Sequence, residues 1–206
     1  MSLFTTFLRG TEILCWAVGV LLVGFFVSQL ALGEAERIAD VAAFEMAYPI
    51  EVPDQSLWSE SRIKAYEASK AEAPARVVAV LSMPGIGLKV PVYENGSDLN
   101  MNRGVGLIEG TASLNEVGNV GIAGHRDGFF RVLKDVKIGD RLILQTPQRL
   151  RRYQVTQTLI VDPDHVEVLD PTEDHVVTLV TCYPFYYVGP APRRFIVKAQ
   201  LKESKS

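Results

Sequence analysis

From Val77 to Leu201 the chain is a succession of short runs, "VVAVLSM", "LKVPVY", "NVGIAG", "RLILQT", "RYQVTQTLIV", "VVTLVTC" and "RFIVKAQL", broken by glycine, proline, asparagine and acidic residues. β-branched and aromatic residues suit the pleated, half-buried surface of a strand, and the intervening residues suit turns. No long helical interval separates the runs, which argues against a parallel sheet built from βαβ units. The pattern predicts an all-β domain, either a barrel or a sandwich.

A different constraint lies ahead of that domain. Ile13 to Leu32, "ILCWAVGVLLVGFFVSQLAL", carries no charged residue. About 20 apolar residues at 1.5 Å rise each cross the ~30 Å hydrocarbon core of a bilayer. A single transmembrane helix is expected over residues 11–33, after a short cytoplasmic tail, 1–10. A cleaved signal peptide is the competing reading, with Ala31-Leu32-Gly33 as its cleavage site. The run exceeds the usual apolar core of about 7–15 residues, which favours an uncleaved anchor. Arg9 before the segment and Arg37 after it give only a thin positive-inside signal. The expected location is the cell membrane, single-pass, with the β domain on the extracytoplasmic side.

Residues 34–74 read as a linker containing a spacer helix. "DQSLWSESRIKAYEASKAEA", from Asp54 to Ala73, has helical composition and a narrow apolar stripe of Trp58, Ile63 and Tyr66. A solvated spacer and a helix packed on the domain are equally compatible with it. Residues 75–206 form the β domain. With 21 basic and 24 acidic residues and a net charge of -3, the chain shows no basic cluster, which argues against a nucleic-acid partner.

Only two cysteines are present, Cys15 inside the apolar run and Cys182 in the β domain, so a disulfide framework is not expected. Cys182 ends one β-rich run and Arg193/Arg194 opens the next. If these strands pair as an antiparallel hairpin, directly opposed Cβ atoms lie about 4.5–5.5 Å apart. Positive charge beside a thiol favours the thiolate, which is the nucleophile; the alternative is a buried structural cysteine. Of three histidines, His125 stands out in "GNVGIAGHRDG", where Gly118, Gly121, Gly124 and Gly128 let the backbone bend. His165, in "DPDHVE", reads as a solvated residue and His175 as a structural one. Asp127 is a weak candidate for orienting His125, and a surface carboxylate is its simpler reading.

"TLVTC" with an arginine heading the next strand, "GHRDGFFR" upstream, "LNMNRGVGLIEGT" at 99–111 and the "YPFYYVG" loop together resemble the sortases, cysteine transpeptidases of bacterial surfaces. The resemblance covers about Ala75 to Leu201 and is strongest to class D. It implies a closed sortase-type β-barrel of about eight strands with short helices. It makes Cys182 the nucleophile, His125 the acid that protonates the leaving amine, and an arginine the partner of the substrate carbonyl oxygen. The family's arginine directly precedes an apolar triplet, here Phe195-Ile196-Val197, which selects Arg194. Arg193 then points outward, since successive strand residues alternate faces. Thr181 and Tyr183 are the implied substrate contacts. Leu107 stands where close class D relatives often have histidine, and "SLNE" where they have Pro-Gly; neither position belongs to the implied triad.

The resemblance further implies a protein substrate bearing an LPxT-like sorting signal, and an amine acceptor such as a cell-wall peptide or a pilin lysine. No organic cofactor and no metal in the catalytic site are implied. Some sortases bind calcium near the loop 161–174, "VDPDHVEVLDPTED", which is rich in carboxylates. Its spacing matches no ordered calcium loop, so a solvated acidic connection is the simpler reading. A plain cysteine peptidase and an inert membrane-tethered β-barrel binding module are the rival functions.

Overall fold

The computed structural model describes residues 16, 18–29, 53–73, 75–187 and 189–205. The chain divides into two units, Met1–Met46 and Ala47–Ser206. In the first, residues 18–29 are helical and their apolar side chains, Leu21, Phe25 and Phe26 among them, are exposed. Among the described residues no helix is long and apolar enough to cross a membrane. The rest of the expected 11–33 span, including Cys15, lies outside the described residues.

The second unit opens with helix α1 (Glu60–Ser69). Ser59 caps it by accepting from the Arg62 amide at 3.2 Å, which satisfies one of the orphan donors of the first turn. Strands β1 (Val77–Met83) and β2 (Leu88–Tyr93) follow, then helix α2 (Asp98–Arg103) and strands β3 (Val105–Leu107), β4 (Asn119–Ala123), β5 (Arg141–Gln145), β6 (Leu150–Val161), β7 (Val176–Tyr183) and β8 (Arg193–Lys205). The eight strands close into a barrel in the order β1-β2-β3-β4-β7-β8-β6-β5. Two pairs, β2 with β3 and β4 with β7, run parallel.

Alternation sets which residues fill the barrel. Leu81, Ile122, Leu142, Leu179 and Val197 are each 0% exposed and belong to one hydrophobic cluster. Strand β7 lies between β4 and β8 and is buried along most of its length, so "VVTLV" reads as a continuous apolar run and not as a strict alternation. The structure also decides the role of the segment 54–73. Trp58 and Tyr66 pack on the core, with Trp58 edge-on to Phe129 at 4.7 Å between ring centroids. α1 is therefore docked on the barrel and is not a free spacer.

Candidate active site

Parallel pairing of β4 with β7, in register from Asn119↔Val176 to Ala123↔Val180, brings the carboxyl ends of these strands to the same end of the barrel. His125 stands just past the end of β4 and Cys182 near the end of β7. The junction is pinned twice: the Gly124 amide donates to the Val180 carbonyl at 3.2 Å, and the Thr181 hydroxyl donates to the Gly124 carbonyl at 2.7 Å. Thr181 is 2% exposed. Its hydroxyl is committed to holding the turn that carries His125.

Gly124 is required here by packing. A Cβ at that position would lie 2.6 Å from the Phe130 ring, closer than carbon atoms tolerate. The ring of Phe130 is 0% exposed and its amide donates to the His125 carbonyl at 3.3 Å. The imidazole is thus carried on a turn clamped against the core.

On the other side of β7 the strand β8 pairs antiparallel, with Cys182 opposite Arg194 and Tyr183 opposite Arg193. Cross-strand partners share a face, so Arg194 lies on the face of Cys182 and Arg193 on the other. Arg193 is exposed and lies 3.8 Å from Asp162. Arg194 is partly buried, its guanidinium donating to the main-chain oxygens of Arg193 at 3.1 Å and Ala191 at 3.4 Å. Tyr183 is partly buried in an aromatic cluster with Phe185 and Phe195. Cys182 is partly exposed and is a free thiol.

Burial foremost, then the Arg62 guanidinium, holds the His125 imidazole below its ordinary pKa; Asp127 and Asp98 pull the other way. The Asp127 carboxylate is engaged by Ser59 and Arg62. It accepts from the Ser59 hydroxyl at 2.9 Å and pairs with Arg62 Nε at 3.0 Å. Burial alone would raise its carboxyl; the Ser59 hydrogen bond and the Arg62 charge override that and hold it below the usual carboxylate range.

The loop joining β7 to β8 is tied to the His125 segment by two arginines that carry no signal in the local sequence. Arg126 donates to the carbonyls of Tyr187 at 3.0 Å and Gly189 at 2.7 Å. Arg131, 8% exposed, donates to the Phe185 carbonyl at 3.2 Å and lies 4.5 Å from the centroid of the Tyr186 ring. The only hint in the sequence is the coincidence of "GHRDGFFR" with an aromatic loop able to receive cations.

A groove of about 850 Å³ runs along β3 and β4, lined by Met101, Leu107, Ile108, Thr111 and Ala123 among others. It reaches Ala123, two residues before His125. A second cleft of about 810 Å³, with Arg141, Arg152 and Lys202, lies at the far end of β8, beyond the pairing of Gln200 with Val176. His165 is exposed, 3.6 Å from Glu167, and His175 lies at the start of β7; neither joins the site. In the loop 161–174, Asp162 faces Arg193. Among the described residues no three histidine, cysteine, aspartate or glutamate side chains converge as a metal site would require.

A family model described as the sortase domain matches residues 81–202. The chain belongs to the sortase family. It is similar to sortase D of Bacillus subtilis, 32% identical over 132 residues, which is 64% of this chain and 67% of that protein. Sortase A of Listeria monocytogenes is 31% identical over 133 residues, covering 63% of this chain and 58% of the relative's length. The solved sortase D5 transpeptidase of Clostridium perfringens has the same fold, with a TM-score of 0.57 at 24% identity over 68% of this chain and 89% of that one. This sortase is class-D-like, within a family of cysteine transpeptidases.

Proposed function

We propose that this sortase cleaves an LPxT-like sorting motif in a protein substrate and transfers the acyl group to an amine, through Cys182, His125 and Arg194. The observation that carries the reading is the placement of a free thiol directly opposite Arg194 on β8, with the His125 turn fastened to the neighbouring strand.

The Cys182 thiolate attacks the scissile carbonyl carbon, and the carbonyl oxygen takes up the negative charge beside Arg194. Arginine suits that position because it stays charged and offers donors in a fixed fork. As the tetrahedral intermediate collapses, the C–N bond breaks and protonated His125 gives its proton to the departing amine. A thioester remains on Cys182. An incoming amine, such as that of a cell-wall peptide or a pilin lysine, loses its proton to His125 and attacks the thioester. The new amide forms, the C–S bond breaks and the thiolate returns. No organic cofactor is required. The apolar groove ending at Ala123 is suited to the side chains of an extended motif.

The protein is further proposed to be anchored in the cell membrane by the uncharged run Ile13–Leu32, with the barrel outside. The exposure of apolar side chains along residues 18–29 supports that reading, since a helix apolar all round needs a lipid or protein cover.

The test incubates the full-length protein with an LPxT-containing peptide, with and without a primary amine, and follows products by mass spectrometry. A joined product that depends on Cys182 is expected. Cleavage with no amine incorporated shows a plain cysteine peptidase, and no Cys182-dependent product shows a tethered binding module.

A further inference from the structure

The histidine of this site is held from outside the barrel. Helix α1 ends before residue 81, where the match to the sortase domain begins, yet it and its capping residue Ser59 make three hydrogen bonds to the turn that carries His125. Arg62 Nε donates to Asp127 Oδ1 at 3.0 Å, and the Ser59 hydroxyl donates to Asp127 Oδ2 at 2.9 Å. The Ser59 amide reaches the Asp127 carbonyl at 3.4 Å. Arg62 also donates through Nη1 to Asn102 Oδ1 on α2. The ion pair is largely shielded, with side-chain exposures of 16% for Arg62 and 26% for Asp127, so solvent screens it less than a surface pair.

The stem of Arg62 is a packing element as well. A Cβ on Gly128 would lie 3.3 Å from Arg62 Cγ and Cδ. The Arg62 stem and the Gly128 backbone therefore meet closely, and a methyl group there would push the stem aside by a few tenths of an ångström. Trp58 and Tyr66 continue the contact onto Phe129, with centroid distances of 4.7 and 6.4 Å. Residues 58–66 thus pack against the turn at Asp127, Gly128 and Phe129.

We propose that Arg62 and Asp127 form a positioning pair, through which helix α1 fixes the His125 turn and sets the balance of charge facing the imidazole. Neither residue touches the reacting atoms. The charged and titratable groups around His125 are Arg62 on α1, Asp98 on α2, Arg126 and Asp127 on its own turn, and Cys182 and Arg194 at the ends of β7 and β8. Arg62 opposes protonation of the imidazole, whereas Asp127 and Asp98 favour it. The two members act on the imidazole in opposite senses while both are present. Removing one exposes the other, and the two removals act in opposite senses.

The proposal deepens the reading of His125 as the acid and rests on it for its catalytic consequence. Its test does not. The full-length protein contains three histidines, so the imidazole of His125 can be titrated individually by NMR after assignment with His165→Gln and His175→Gln. Arg62→Met keeps the stem against Gly128 and removes the charge; the His125 pKa is expected to rise. Asp127→Asn is expected to lower it. Arg62→Lys is expected to keep it near the wild-type value, and Arg62→Gln supplies the same reading as Arg62→Met if the latter does not fold. Shifts of the same sign in the Arg62 and Asp127 variants, or no shift in either, overturn the proposal. Loss of peptide cleavage in His125→Ala is measured separately and decides whether His125 is the acid at all.

Discussion

Cys182 and Arg194 stand directly opposite one another across the β7–β8 ladder, while the adjacent Arg193 faces Tyr183. The two neighbouring arginines are thereby assigned to opposite faces by the pleat alone. Arg194→Ala is expected to lower kcat by about 10²–10³, the usual cost of losing one oxyanion donor, with Arg193→Ala close to wild type. Steady-state cleavage of a motif peptide checks this, and the reverse order of effects exchanges the two roles.

Cys182→Ala is expected to abolish cleavage and to leave no peptide adduct on the protein, because a methyl group cannot form the acyl intermediate. Intact-protein mass spectrometry after incubation with peptide reads the adduct in wild type and its loss in the variant. The circular dichroism spectrum is expected to be unchanged, since Cys182 is only partly buried.

The depressed pKa of His125, caused first by burial, fixes the sign of its pH dependence. The protonated imidazole is lost as pH rises through a value below the ordinary ~6.5, so only a minority of molecules carries the acid at neutral pH. Slow turnover with a bell-shaped pH profile is expected. His125→Ala is expected to remove this limb of the profile; an unaltered profile removes His125 from the mechanism.

Stability follows the same groups towards acid. His125 is held below its ordinary pKa, so the folded state binds its proton less readily than the unfolded chain, and stability falls as pH drops from about 6.5 through the folded value. Asp127 is likewise held low, so its contribution is present above the ordinary carboxylate pKa and is lost as pH falls through its folded value. Thermal unfolding is expected to show a midpoint that falls from pH 7 to pH 4 through His125, and a further fall below about pH 4 that is smaller in Asp127→Asn.

Gly124→Ala places a methyl group 2.6 Å from the buried Phe130 ring. Overpacking of this kind costs about 1–3 kcal/mol, read as a lowered unfolding midpoint. Cleavage is expected to fall in parallel, because the displaced turn is the one that carries His125.

Much of the barrel was legible from the chain because its strands are local patterns. The run "VVAVLSM" is β1 and "LKVPVY" is β2, residue for residue. β3 is only three residues long, too short for period-two alternation to register, and helix α2 beside it went unread for the same reason. Cys182, His125 and Arg194 could be singled out because each stands at a strand end within a compact motif. Arg62 could not. It meets Asp127 across 65 positions, and nothing within either segment announces the other. The bond from Thr181 to Gly124 could not be read either, because sequence adjacency to the cysteine does not say which face of the strand a residue occupies.

Barrel closure carries a further consequence for how a peptide is held. β3 is brief, but the chain beyond it continues to bond β4, with the Ile108 amide on the Gly121 carbonyl at 2.9 Å and the Ala112 amide on the Asn119 carbonyl at 3.0 Å. Among the described residues the eight strands are joined in a ring, each with a neighbour on both sides, although β2–β3 and β3–β4 are joined over only two residue pairs each. A ring of this kind offers less open edge than an open sheet for β-augmentation, in which a ladder of main-chain bonds supplies affinity regardless of side chain. Under the proposed function, selectivity for a short motif then rests chiefly on side chains seated in the groove, and extended segments of passing proteins find less edge to pair with.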